Sequence, residues 1–264
     1  MKFTVLTLFP DIVRAYFENS IMARAVKKEI IAYDLVNIRD FARDKHQSFD
    51  DGTYGGGAGQ LMMAEPLGEA LDSVGAKRKT VIYVTPSGKP FTQNKAKELA
   101  GKDELIFICG RYEGIDQRII DTYVDEEISI GDYVMSSGEV ACTVIIDTVY
   151  RLIDGVINSE SLEEESYCDG LLEYPQYTRP PVYKGLEVPE VLLSGNHEEI
   201  RKWRLRKRIL KTMRNRPDMI VSARSQGLLT AEAEKMIEEI TEQTSVKYVK
   251  PKRNRKKKPA NPNE

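Results

Sequence analysis

Three short runs, KFTVLTLF (residues 2–9), TVIYVTP (80–86) and LIFICG (105–110), are apolar or β-branched at nearly every position instead of every second one. A strand of that kind has no face to offer to water. It belongs inside a sheet covered on both sides, and such sheets are parallel. Parallel strands need long crossovers, and amphipathic segments stand between the runs. Pro10 and Asp11 open one, with Ile12, Val13, Tyr16, Phe17, Ile21, Ala25 and Val26 at helical spacing over a single long helix. IAYDLVNI (31–38) and EEISIGDYVM (126–135) read as two more strands, and a further helix begins at Gly138-Glu139 and runs through VACTVIIDTVYRLI. The fold class is α/β.

Behind this domain the character of the chain changes. NSESLEEESYCD (158–169) is polar and acidic, with little to bury, and reads as a mobile linker over 158–173. Residues 174–189 form an extended strap rich in proline and aromatic side chains. His197 to Met213 and Ala231 to Glu242 have helical patterns, giving a small, mainly helical C-terminal domain over 174–246, and residues 247–264 read as a disordered basic tail. The domain in front of the linker is 1–157.

Charge points to a partner. Nine basic residues and no acid lie between Arg201 and Arg216, and eight basic residues against one acid lie between Lys247 and Glu264. The rest of the chain has 22 basic and 40 acidic residues, so an acidic body carries two basic patches, as a nucleic-acid-binding protein would. A solvated helix face with a solubilising tail is the competing reading. Three cysteines without CxxC spacing and two scattered histidines give neither a disulfide framework nor a metal-ligating set. No apolar run approaches a membrane span, and MKFTVLTLFPD, broken at Pro10, does not read as a signal peptide, so a cytoplasmic location is expected.

Two groups of motifs carry chemistry. DGTYGGGAGQLM (51–62) lacks the Lys-Ser/Thr of a phosphate-binding loop. It reads either as a structural turn or as a loop whose backbone approaches a partner, with Arg43, Lys45, His46 and Asp50 beside it to touch RNA. The strand tips YVTPSG (83–88), CGRYEG (109–114) and SIGDYVMSSGE (129–139) are the second group. Ligands of open α/β sheets sit outside such carboxyl ends. These tips offer glycine backbone, Thr85, Tyr112 and Tyr133 but no basic cluster, which suits a ligand with adenine and ribose and no phosphate; ordinary tight turns are the alternative.

YGGGAGQLMM, CGRYEGID, DEEISIGDYVMSSGE, GLLEYPQYTRP and LSGNHEEIRKWR, in this order along the chain, resemble the signatures of the bacterial tRNA (guanine-37-N1)-methyltransferases, the TrmD family of the SPOUT superfamily. The resemblance runs from Phe9-Pro10 to about Arg206. It implies a parallel sheet with a deep trefoil knot, an exception to the rule against threaded chains. It also implies a homodimer with its active site at the subunit interface, tRNA as substrate and S-adenosylmethionine as methyl donor, and it leaves a magnesium requirement open. Carried over by motif, Tyr83, Val84, Thr85, Gly110, Ile130, Gly131, Asp132, Tyr133, Val134, Met135 and Gly138 line the cofactor pocket. Glu113, His46 and Asp50 meet the RNA, and Arg201, Arg204 and Arg208 grip its phosphates from one side of a helix.

The resemblance further implies that N1 of an extruded guanine loses its proton to a carboxylate while an arginine stabilises the carbonyl oxygen. The arginine falls on Arg151. The family's aspartate in Asp-Ser-Phe falls here on Glu165, in Glu165-Ser166-Tyr167, with Asp169 as the stand-in; Ser137 and Ala58 replace a glycine and a proline of the pattern. Arg111 reads as a structural or phosphate contact. A SPOUT enzyme acting on another RNA site and an RNA-binding protein without catalysis are the alternatives.

Overall fold

The computed structural model describes residues 1–158 and 165–247, and the chain divides into two compact units, Met1–Ser159 and Glu160–Glu264. In the first unit, β1 (Lys2–Thr7), β2 (Ala32–Asn37), β5 (Thr80–Pro90), β6 (Glu104–Cys109) and β7 (Glu126–Ser129) form one sheet in the order β2-β1-β6-β5-β7. Every pairing in it is parallel. A separate hairpin, β3 (Asp50–Gly52) with β4 (Gln60–Met62), frames the glycine-rich loop.

The continuous apolar runs are explained by two cores, one on each face of the sheet. Phe3, Val5, Ile82, Val84, Leu105, Phe107 and Cys109 point to one face, where α1 (Pro10–Phe17), α2 (Ser20–Lys27), α4 (Gln93–Ala100) and α6 (Gly138–Tyr150) cover them. Their neighbours Leu6, Val81, Tyr83, Ile106 and Ile108 point to the other, under α3 (Ala64–Ser73) and α5 (Gln117–Tyr123). Alternation of period two, with both faces dry, leaves few polar positions in these strands, and the threonines Thr4 and Thr7 of β1 are buried with their hydroxyls donating to Glu104 and Glu139. Phe3, Phe107, Leu6 and Ile82 are wholly buried, and each such side chain contributes roughly 1.5–3 kcal/mol of transfer free energy.

Three expectations are corrected. The single helix over 12–26 is two helices: the Asn19 side chain donates to the Ala15 carbonyl at 2.6 Å, and Ser20 adopts φ 58°. A side chain that bonds back to the preceding turn competes with continued helix, and here it ends α1. The strand expected over 126–135 stops at Ser129, because the Ser129 hydroxyl bonds both the carbonyl and the N–H of Gly131 and turns the chain. The apolar residues beyond it line a cavity instead of a sheet. Strand β5 runs past Pro86 to Pro90, and its pairing with β7 jumps from Val84 to Lys89, so residues 85–88 bulge out as a loop.

In the second unit, a two-residue hairpin, β8 (Val182–Tyr183) with β9 (Leu186–Glu187), interrupts the strap. Helices α7 (Glu190–Leu193), α8 (His197–Asn215), α9 (Pro217–Ser225) and α10 (Ala231–Lys247) follow. Leu171, Ile209, Ile220, Ala233, Ile237 and Ile240 form its core. Pro217 at the first position of α9 starts that helix, a signal the sequence carried and the helical periodicity did not reveal. The end of the segment expected as linker is bonded to α8: the Leu172 N–H donates to Thr212 Oγ1 at 2.9 Å, and Arg208 Nε donates to the Leu172 carbonyl at 3.3 Å. The remainder of the acidic stretch, 159–164, and the tail from 248 lie outside the described residues.

Candidate active site

The three strand tips singled out in the sequence enclose a cavity of about 210 Å³ in the first unit. The β5 tip supplies Tyr83, Val84, Thr85 and Pro86, the β6 tip Gly110 to Gly114, and the segment after β7 supplies Ile130, Gly131 and Tyr133 to Gly138. Of the expected cofactor residues, Asp132 alone is off the wall: it is exposed.

What holds the tips together is close backbone approach. The Gly138 N–H donates to the Gly110 carbonyl at 3.0 Å. A Cβ at Gly138 would come within 2.8 Å of the Gly110 nitrogen and 2.9 Å of the Cys109 Cα, so only glycine lets α6 begin there. Behind Gly110 lies the Tyr83 ring, which a Cβ at Gly110 would meet at 2.9 Å. Burial pushes the Tyr83 phenol above its ordinary pKa, so it stays protonated and polar but uncharged. Burial does the same to the Cys109 thiol, whose neighbour is Cys142. Buried in apolar surroundings, Cys109 has the setting of a structural cysteine.

Among the described residues the one cation on the cavity wall, Arg111, faces a carboxylate. Arg111 Nη2 lies 3.0 Å from the Glu139 carboxylate, which is wholly buried in the first turn of α6 and also accepts from the Thr7 hydroxyl at 2.6 Å. A carboxylate at a helix N-terminus is favoured by the helix dipole. For Arg111, expected as a structural or phosphate contact, the ion pair is a structural contact. Glu139 itself escaped the sequence reading, since an acid in a first helical turn is ordinary and nothing local tells that it is buried.

At the cavity mouth Glu113 is exposed, and its side chain lies over Gly59 of the glycine-rich loop. The Glu113 N–H donates to the Gln60 carbonyl at 3.1 Å and the Met62 N–H to the Gly114 carbonyl at 3.0 Å, so the hairpin of β3 and β4 is tied to this mouth. Tyr54 at its tip is fully exposed. His46 is exposed on the preceding loop, and Asp50 is partly buried at the start of β3. Arg151 caps the C-terminal end of α6, where the helix dipole favours a cation.

In the second unit the basic helix is less uniform than its sequence. Arg201 is paired with Glu198 and with Glu232, and these carboxylates raise its pKa. Arg204 lies over the Tyr174 ring at 4.7 Å. Arg208 is nine per cent exposed and bonded to Asp169, so it does not share an open phosphate-gripping face with the other two. Glu165 sits in a turn in which its carbonyl accepts from the Cys168 N–H, partly buried.

Among the described residues no helix is long and apolar enough to cross a membrane, and no cluster of His, Cys, Asp and Glu could hold a metal ion. The profile of the family described as tRNA (Guanine-1)-methyltransferase TrmD matches residues 1–222. A tRNA (guanine-N(1)-)-methyltransferase of Treponema denticola is 68% identical over 239 residues, covering 90% of this chain and 98% of the relative. The proteins of the same name from Treponema pallidum and Borreliella burgdorferi are 60% and 58% identical, over 91% and 83% of this chain and 96% and 92% of theirs.

Proposed function

Because this chain belongs to the TrmD family of tRNA (guanine-1)-methyltransferases, we propose that it transfers a methyl group from S-adenosylmethionine to N1 of guanosine 37 in tRNA. The observation that carries this reading is the cavity at the three strand tips, in a chain whose relatives are named for guanine N1 methylation.

The residues present fit the donor. A sulfonium cation is repelled by a bare arginine nearby and favoured by oxygen-rich surroundings. Arg111 is neutralised by Glu139, and the carbonyls of the glycine tips, the Thr85 hydroxyl and the neutral Tyr83 phenol supply oxygen. Val84, Ile130 and Met135 would offer the donor's adenine an apolar wall. When bound, S-adenosylmethionine supplies an electrophilic methyl group.

The chain's own residues then move one proton and steady one charge. Guanine N1 is protonated in the neutral base and becomes nucleophilic only when that proton leaves. Glu165 accepts it, a contribution on the order of 10² to 10⁴ in rate. Negative charge growing on the adjacent carbonyl oxygen is met by Arg151 through a charge-assisted hydrogen bond. Glu113 accepts from the N–H groups of the extruded base, and His46 and Asp50 contact the RNA around it. The unit over 174–246 binds tRNA phosphates through Arg201 and Arg204, contacts that position without specifying and that weaken with salt. We read the enzyme as a cytoplasmic homodimer with a knotted cofactor domain and the active site at the subunit interface.

The test is transfer of labelled methyl from S-adenosylmethionine to a tRNA transcript with guanosine at position 37, followed by digestion to nucleosides. Label in N1-methylguanosine is expected, with none after changing that guanosine to adenosine. Label surviving the change would point to another RNA site, and no transfer at all would leave an RNA-binding protein.

A further inference from the structure

Behind the mouth of the cavity, five side chains from four separate stretches of chain stack into one ladder. The Arg111 guanidinium carbon lies 4.3 Å from the centre of the Phe9 ring. On from Phe9 comes Arg39, 5.8 Å from that ring and 4.0 Å from the ring of Phe49. Phe49 in turn stacks on Tyr112, centres 6.2 Å apart and planes at 21°. The ladder therefore starts and ends on adjacent residues of the β6 tip, Arg111 and Tyr112, and Arg39 is its middle rung. Its Arg111 end is anchored by the buried Glu139.

We propose that Arg39 is a positioning residue for the reaction: stacked between Phe9 and Phe49, it holds Gly110 to Gly114 in the shape that closes the cavity and presents Glu113. Four points support this. Arg39 is on the short 3-10 turn after β2 and is not part of the cavity wall, so it acts only through others. A guanidinium is planar and stacks on an aromatic face on each side, which the ammonium of lysine cannot do. Phe49 is seven per cent exposed, so the contact is largely shielded from water. Tyr112 holds φ 57°, a left-handed conformation uncommon for a residue with a side chain, and Phe49 packs against its ring there. Phe49 also lies between His46 and Asp50, so the same rung ties the expected RNA-contact loop to the cofactor loop.

The kinetic half of the test rests on the methyl-transfer reading; the exchange half does not. Full-length Arg39→Met, Arg39→Lys and a control, Arg14→Met, on the exposed outer side of α1 are compared with the parent protein. Hydrogen exchange is followed at the Glu113 and Gly114 amides, which are bonded to the Gln60 and Arg111 carbonyls. Exchange there is expected to quicken at least fivefold in Arg39→Met, less in Arg39→Lys and not in the control, with the β1 and β6 amides unchanged. In turnover, KM for S-adenosylmethionine should rise about three- to tenfold with kcat within twofold. A merely structural loss would instead lower the active fraction, reducing kcat at constant KM. Unchanged exchange at 113–114, or equal acceleration across the whole unit, overturns the proposal. If Arg39→Met does not fold, Arg39→Lys is judged by the same criteria. A parent protein without methyl transfer would sink the functional reading while the exchange result still decides the role of Arg39.

Discussion

Arg208 and Asp169 form a two-bonded ion pair: Nη1 donates to Oδ2 at 2.8 Å and Nη2 to Oδ1. The fork of a guanidinium matches a carboxylate in this way, and the pair clamps the segment before Leu171 onto α8. An acceptor so engaged is poorly placed to take a proton from a base, and an arginine so buried is poorly placed to hold a phosphate. Both consequences can be measured.

Asp169→Asn should destabilise the protein by about 1–3 kcal/mol, less than breaking a fully buried pair costs, because the Asp169 side chain is 45% exposed. Turnover per folded molecule should fall less than tenfold. Denaturant titration and active-site-normalised kinetics separate the two, and a collapse of turnover at full stability would transfer the role of base to Asp169.

Glu165→Gln should behave in the opposite way, lowering kcat by about 10² to 10⁴ with little change in unfolding midpoint. The amide keeps the shape and cannot accept the proton. Near-parent turnover would remove Glu165 from the mechanism.

Arg151→Ala should nearly abolish methyl transfer while calorimetry still detects S-adenosylhomocysteine binding, since Arg151 is absent from the cavity wall. Simultaneous loss of product binding would show that it shapes the pocket and does not serve the transition state.

Gly138→Ala should weaken S-adenosylhomocysteine binding at least tenfold and destabilise by about 1–3 kcal/mol, the usual range for overpacking. The added carbon meets the backbone of Cys109 and Gly110, which cannot rotate away as a side chain could. Parent-like affinity would mean that the tips tolerate separation.

Acid should loosen the second unit. Arg201 holds the Glu198 and Glu232 carboxyls below the usual range, and Arg224 does the same for Glu234. A group depressed on folding stabilises fully above its unfolded pKa, ordinarily 4.5 here, and that contribution is lost as pH falls through the folded value. Amide exchange in α8 and α10, corrected for intrinsic rates, should therefore accelerate between pH 5 and pH 3. The acceleration should shrink in Glu232→Gln/Glu234→Gln. These pairs are exposed, so the effect is small and salt-sensitive.

The sequence alone determined the parallel sheet, because a strand buried on both faces must be apolar throughout, and KFTVLTLF, TVIYVTP and LIFICG are close to that. It also placed the cavity at the carboxyl ends of three strands, because glycines and short polar residues collect there. Only the tertiary structure decided what becomes of each charge. Thr7 and Glu139 are 132 residues apart, and Asp169 and Arg208 are 39 apart. Whether a glutamate is solvated or sealed, and whether an arginine in a basic run is free or clamped, depends on what distant segments bring against it. Local spacing records which face a side chain takes. It carries no information about the partner waiting there, since desolvation and pairing are set by contacts formed across the fold.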